Sequence, residues 1–195
     1  MPTGIVLHDA RELLFDAAER VLVRDGPSSL TSRAVTTEAG VAKGVLHRHF
    51  ADFDAFLTEL VLDRIDRLDG QATALRDSAG TGTLADTLTG ALTALFGPVA
   101  VAIVALVVSR DNLRTRLHQA GSARVPLLGE ATAMIVTYLS AERELGRIAA
   151  DADVDTLAPM LIGTVHMLFT GREGTPPEAG AVRKVVTTVL AGVVQ

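Results

Sequence analysis

The chain contains no cysteine, which excludes a disulfide scaffold, a thiolate zinc site and a cysteine nucleophile together. Aromatic residues are scarce at 4% although the hydrophobic share is 48%, so Ala, Val and Leu must fill any interior, a mixture that favours helices. Strand-like alternation bounded by turns is missing, as are internal repeats and low-complexity tracts. No G-x-S-x-G, phosphate loop, H-E-x-x-H or matched carboxylate pair occurs, so no nucleophile has an evident partner and no catalytic residue is expected. An enzyme using an apolar cavity with His118 or His166 as base finds little else in its favour. The N-terminus does not pair a basic start with a continuous apolar stretch, because His8, Asp9, Arg11 and Glu12 interrupt residues 1–14, and the expected location is cytoplasmic.

The 195 residues suffice for one large domain or two small ones. A net charge of -5 argues at first against a nucleic-acid partner, since phosphate contacts are the main source of affinity for DNA. The distribution reverses that argument. Within residues 31–50, Arg33, Lys43 and Arg48 face Glu38 alone, with His47 and His49 beside them. Residues 87–109, by contrast, carry no charge and have the hydropathy of a membrane span. Gly97 and Pro98 interrupt that run and no aromatic belt flanks it, which favours a buried central helix and no membrane partner.

The apolar spacing predicts helices throughout. Ala10, Leu14, Ala17 and Val21 form one stripe from Leu7 until Gly26 and Pro27 end it. Thr31 offers an N-cap to a short helix through Ala34, Val35 and Ala39, which stops at Gly40. Residues 42–50 make a third helix, and Asp52 caps a fourth that shows Phe53, Phe56, Leu57, Leu60, Val61 and Ile65 on one face and runs to about residue 76. Beyond the break at residues 78–82, helices are expected near 83–96, 98–109, 111–120, 126–145, 156–170 and 179–194. The fold class is therefore all-α: an N-terminal three-helix helix-turn-helix domain over residues 1–52, then a larger helical domain over residues 53–195 that opens with the connector helix of about 53–76.

A helix-turn-helix needs two short helices locked by a tight turn, so that the second lies in a major groove while the first crosses the backbone. Residues 31–50 meet this need. Ala39 keeps the crossing close, Gly40 turns the chain, Val41 plugs the small core, and the next helix exposes Lys43, Gly44, Val45 and His47 near its start. Taken singly, these residues are also compatible with a solvated basic face, and His49 with a satisfied histidine beside Phe50.

The segment TSRAVTTEAGVAKGVLHRHFADFDAFLTEL, residues 31–60, resembles the TetR family of transcriptional regulators in its Thr-capped helix, AGV turn, Lys-Gly pair, His-Phe ending and following helix, and the resemblance spans about residues 10–65. It implies that Lys43 reaches a base edge or phosphate, that Gly44 lets the helix approach the groove, that His49 contacts a phosphate, and that Thr31 and Ser32 present a helix start to the backbone. Arg33 and Arg48 join them on charge. Departures from the family pattern are Ala42 where Ser is frequent, His47 where Tyr is usual, Phe53 where Lys is common, and Val45 for a frequent Thr, which can pack on a thymine methyl. Whether Ala42, His47 and Phe53 weaken binding stays open. The implied partners are double-stranded operator DNA, a small apolar effector and a second copy of the chain, with no cofactor.

The remaining helices suit such a role. Val182, Val186, Val189, Leu190 and Val193 on the last helix, and Leu157, Leu161, Val165 and Leu168 on the one before, form wide apolar stripes that suit a homodimer interface, or alternatively packing within one chain. Asp151, Asp153 and Asp155 begin like a calcium loop, but Thr156 stands where its turn glycine belongs and Ile162 where its closing Glu belongs. Asp155 is better read as the N-cap of a helix from Thr156, with Pro159 at or just past its first turn and no metal implied. Candidate lining for an apolar cavity comprises Phe96, Ile103, Val107, His118, Met134, Tyr138, His166, Met167 and Phe169, of which Tyr138 and His166 carry the polar tips most in need of a partner. The competing readings are a dimeric helical module with weak or lost DNA binding, and the enzyme considered above.

Overall fold

The computed structural model describes residues 7–170 and 177–194. Residues 1–6, 171–176 and 195, which the two expected domains include, lie outside the described residues. Among those described, every regular element is helical: α1 (Leu7–Asp25), a 3-10 turn (Pro27–Ser29), α2 (Ser32–Glu38), α3 (Gly44–His49), α4 (Phe53–Asp77), α5 (Leu84–Leu95), α6 (Pro98–Ser109), α7 (Asp111–Gln119), α8 (Leu128–Glu144), α9 (Val154–Thr170) and α10 (Ala181–Val189). The chain divides into two compact units, Met1–Arg64 with Ala102–Gly121, and Ile65–Val101 with Ser122–Gln195.

The first unit holds four of the seven aromatic residues. Phe15, Phe50 and Phe56 meet at centroid distances of 5.0 to 5.8 Å, and Phe53 stacks on Phe56 at 5.6 Å. Leu14, Leu22, Leu30, Val35, Leu46, Leu57 and Leu60 complete a dry interior. Each such side chain contributes about 1.5–3 kcal/mol on burial, enough to fix a small helical unit. Arg11 lies 4.7 Å from the Phe50 ring centre and pairs with Glu59. Three arginine contacts bind α7 and the residue before it into this unit: Arg110 donates to the Leu30 carbonyl at 3.1 Å, its guanidinium lies 5.9 Å from the Phe53 ring, and Arg116 meets Asp52 at 3.1 Å. The charge-free run is split between α5 and α6, and Ile103, Leu106 and Val107 on α6 are buried. No single helix among the described residues is long and apolar enough to cross a membrane.

In the second unit α8 packs on α9, and α10 packs on both α9 and α5. Gly146 ends α8 at φ +72°, and its turn sends the Arg147 N–H back to the Glu142 carbonyl. That return places Arg147 beside its own helix. Two boundaries differ from expectation. Asp153, rather than Asp155, caps α9, accepting from the Thr156 N–H at 3.1 Å and from its hydroxyl at 2.7 Å, and Pro159 therefore falls in the second turn. Its missing N–H leaves the Asp155 carbonyl without a helical donor, and because both residues are exposed water can serve instead. The last helix stops at Val189, not 194: Gly192 takes φ +89° and the chain end forms a bridge from Val194 to Ile148, with Ala149 N–H donating to Val193 at 2.8 Å.

Candidate nucleic-acid interface

The Thr31 hydroxyl accepts from the Ala34 N–H at 3.1 Å and so caps α2. At the other end Gly40, at φ +67°, allows the Gly40 N–H to reach the Thr37 carbonyl (3.1 Å) and the Val41 N–H the Thr36 carbonyl (3.0 Å), a paired closure that needs a left-handed residue at this one position. The turn then delivers α3 two residues later than the expected start at 42. Val45 N–H donates to the Ala42 carbonyl at 2.9 Å, and Leu46 and Phe50 bury themselves to seat the helix. His47, Arg48 and His49 occupy its last turn, where positive charge suits the helix dipole.

With one face of α2 and α3 anchored inward, the other is free. Thr31, Arg33, Lys43, Gly44, His47 and Arg48 are exposed, while Ser32, Val45 and His49 are half-buried. The His49 ring lies 6.5 Å from that of Phe50, so it straddles the apolar core and the surface. The one acid of this window is neutralised. Glu38 receives Arg20 Nε at 2.9 Å and Arg24 Nη1 at 2.8 Å, and these two guanidinium groups hold its carboxyl below the usual carboxylate range. Sequence reasoning missed Arg20 and Arg24. The available signal was their spacing of four residues on α1, which puts both on one face.

The nine candidate cavity residues are divided between the two units. Ile103, Val107 and His118 belong to the first unit, the other six to the second. Within the second, Phe96 contacts His166 at 5.7 Å and stacks on Phe169 at 6.0 Å. Burial pushes the His166 imidazole below its ordinary pKa, and its Nε2 is closed to solvent and has no hydrogen-bond partner. Tyr138 stands apart from this cluster in its bonding: its hydroxyl donates to Glu142 Oε1 at 2.6 Å. Met134 is buried, whereas His118 is exposed and Met167 is 73% exposed.

Of the nine interface candidates, Leu161, Val165, Val182, Val186 and Leu190 are buried within their own chain, and Leu157, Leu168, Val189 and Val193 are half-buried. A groove of about 820 Å³ runs along the outer side of α9 and α10, with Met167, Leu168, Val185 and Val189 among its walls.

Residues 14–60 match the family described as bacterial regulatory proteins, tetR family. No curated protein matches the chain in sequence. Among solved structures, NemR of E. coli in its reduced form superposes with a TM-score of 0.75 at 16% identity, covering 96% of this chain and 98% of that one. The fatty acid degradation regulator FadR of Bacillus halodurans gives 0.73 at 16% identity, with 98% of each chain covered. A gamma-butyrolactone receptor described as ArpA-like gives 0.63 at 20% identity, covering 95% and 98%. The resemblance read from the motif is borne out: the chain carries the tetR-family N-terminal domain at residues 14–60, on an all-helical fold shared with these solved structures.

Proposed function

We propose that the chain is a ligand-responsive repressor, active in the cytoplasm, that holds a palindromic operator as a homodimer and is released by a small apolar effector. Residues 1–52 are the reader and residues 53–195 the ligand-binding and dimerisation domain. The observation that carries this reading is the exposed basic face of α2 and α3, with Arg33, Lys43 and Arg48 outward and Glu38 neutralised by two arginines of α1. An acidic chain that gathers Arg33, Lys43 and Arg48 within residues 31–50 against Glu38 alone has, in that window, the charge distribution that phosphate contacts demand. Two readers joined by a two-fold axis reach successive major grooves about 34 to 36 Å apart. The groove on α9 and α10 supports a second copy as the joining partner. The cluster of Phe96, Phe169 and neutral His166 favours an uncharged, largely apolar effector, and the gamma-butyrolactone receptor of the same fold supports a small-molecule input.

Selection from a random duplex pool is expected to recover an inverted repeat. On that repeat Lys43→Ala with Arg48→Ala weakens binding, and the slope of log affinity against log salt falls by about 1 for each phosphate that a reader no longer neutralises. Recovery of no repeat, or a double variant that binds as the parent does, overturns the reading.

A further inference from the structure

Residues 31–51 carry α2, its turn and α3, and one side chain from beyond α6 reaches the chain on either side of them. Arg110, at the cap position of α7, donates Nη2 at 3.1 Å to the carbonyl of Leu30, the residue before the Thr31 cap. The same guanidinium lies 5.9 Å from the ring centre of Phe53, the first residue of α4. Arg110 is not a free arm. Leu113 and Leu117, one turn apart on α7, are buried and seat that helix in the first unit, which holds Ala102–Gly121 together with the reader. Arg116 adds a lesser hold: Asp52 caps α4 by accepting the Ala55 N–H at 2.6 Å with Oδ1, and its Oδ2 accepts from Arg116 at 3.1 Å. Because both partners of that pair are well exposed, it contributes little by itself.

The contact at Phe53 passes inward. Phe53 stacks on Phe56 at 5.6 Å, Phe56 meets Phe50 edge-on at 5.0 Å, and Phe50 closes the C-terminal end of α3. One half-buried guanidinium thus holds the entry to α2 by a hydrogen bond and the exit from α3 through Phe53, Phe56 and Phe50. The planar fork of arginine suits this double task, since it can donate along one edge while its face or rim lies against a ring. Base contacts tolerate little play, and a reader already held in its bound geometry gives up less conformational freedom when it docks. Attraction to phosphates is long-range and indifferent to sequence, and needs no such precision. We propose that Arg110 is a positioning residue of the reader: by joining the residue before α2 to the first residue of α4, it fixes the α2–α3 pair for base contact without itself touching DNA. This role rests on the operator reading above and adds to it a residue that lies outside the helix-turn-helix.

The test compares the full-length parent with Arg110→Met, which removes the donor, and Arg110→Lys, which keeps the charge. Each is titrated with the inverted repeat from the operator selection and with an unrelated duplex of equal length over a range of salt, and amide hydrogen exchange is followed in the free chains. Arg110→Met is expected to lose at least about tenfold on the repeat, yet to keep its affinity for the unrelated duplex within about twofold and its salt slope within about 0.5, because no phosphate contact is lost. Without DNA, the Val35 and Phe56 amides, which bond to Thr31 and Asp52 at the starts of α2 and α4, are expected to exchange at least about tenfold faster. The buried Ile135 and Leu139 of α8 keep the parent's rates, which separates a loosened reader from a destabilised chain. Lysine is a compact donor that serves the carbonyl or the ring but not both, so Arg110→Lys falls between parent and Arg110→Met in both readouts; it carries the comparison alone if Arg110→Met melts early. The proposal is overturned if the slope falls by about 1 for each reader, which would make Arg110 a phosphate contact, or if both duplexes lose affinity alike. It is equally overturned if Val35 and Phe56 exchange at the parent's rates. A parent that recovers no inverted repeat removes the operator reading and this role together, whereas a repeat bound equally by parent and variants removes the role of Arg110 alone.

Discussion

A Cβ placed on Gly129 would lie 2.3 Å from the Cβ of Ala123, closer than such atoms come in real structures. Ala123 cannot retreat freely, because its N–H is held by Glu130 Oε1 at 2.8 Å and the Gly129 N–H is itself bonded to the Val125 carbonyl at 2.8 Å. Two effects compete in Gly129→Ala. Alanine gains roughly 0.5–1 kcal/mol of helix propensity, less at a helix start, while overpacking costs about 1–3 kcal/mol. The clash wins, and the variant is expected to melt about 2 to 6 °C lower by calorimetry. A raised melting temperature would mean that residues 122–127 yield without cost. Glu142 is a buried acid whose Oε1 is hydrogen-bonded, while its Oε2 has no hydrogen bond and faces Arg147 in an ion pair. It is fully buried, yet receives the Tyr138 hydroxyl at 2.6 Å, the Gly80 N–H at 3.3 Å and Arg147 at 3.2 Å, while Arg147 also donates to the Gly82 carbonyl at 2.6 Å. Burial first, and then the bond to Glu142, push the Tyr138 hydroxyl above its ordinary pKa, so it stays a donor. Both partners are thereby committed to holding residues 80–82 against α8.

At the scale of elements, α9 offers a test of which acid starts a helix. Asp153→Ala removes the acceptor for two Thr156 donors and is expected to lower the melting temperature by about 2 to 4 °C, whereas Asp155→Ala leaves it within about 1 °C. Equal losses would return the cap to Asp155. The same comparison shows what the sequence can and cannot disclose. Helices α5 to α8 lie within two residues of their expected bounds, because Thr83 caps one, Pro98 opens the next, and apolar spacing marks the rest. The tight closure at Gly40 and the outward Arg33, Lys43 and Arg48 were legible for the same reason, being local. The failures are not local. Two carboxylates two residues apart cap equally well on paper, and only the approach of the chain to α9 selects Asp153. The pairing of Glu38 with Arg20 and Arg24 needs α1 folded against α2, and the early end of α10 needs Ile148 nearby to receive Val194. The nine cavity candidates share an apolar or amphipathic composition, and it takes packing to group Phe96 with His166 and Phe169 and to bond Tyr138 to Glu142.

For the whole molecule the deciding question is what covers the outer side of α9 and α10. The stripes read as an interface have two faces in practice. Leu161, Val165, Val182 and Val186 point into their own chain, whereas Met160 and Met167 are 49% and 73% exposed, and Leu168, Val185 and Val189 are half-buried along the adjoining groove. Large apolar surface left in water usually marks an interaction site, and a copy related by a two-fold axis presents the same methionines and valines back to it. Met167→Glu puts a charge on the most exposed of these residues without touching the buried layer. At micromolar concentration the parent chain is expected to sediment at twice 20.4 kDa and the variant at 20.4 kDa, with little change in helix content. Because two tethered readers gain roughly 10²–10⁴ in avidity over one, the variant should also lose at least about a hundredfold in affinity for an inverted repeat while keeping its weak affinity for a single half-site. Val182→Glu is the contrasting control: it buries a charge among packed side chains and should unfold the second unit rather than merely separate copies. A parent that sediments as a monomer, or a Met167→Glu chain that stays dimeric and binds the repeat unchanged, would remove α9 and α10 from the interface and require the two readers to be joined through some other surface.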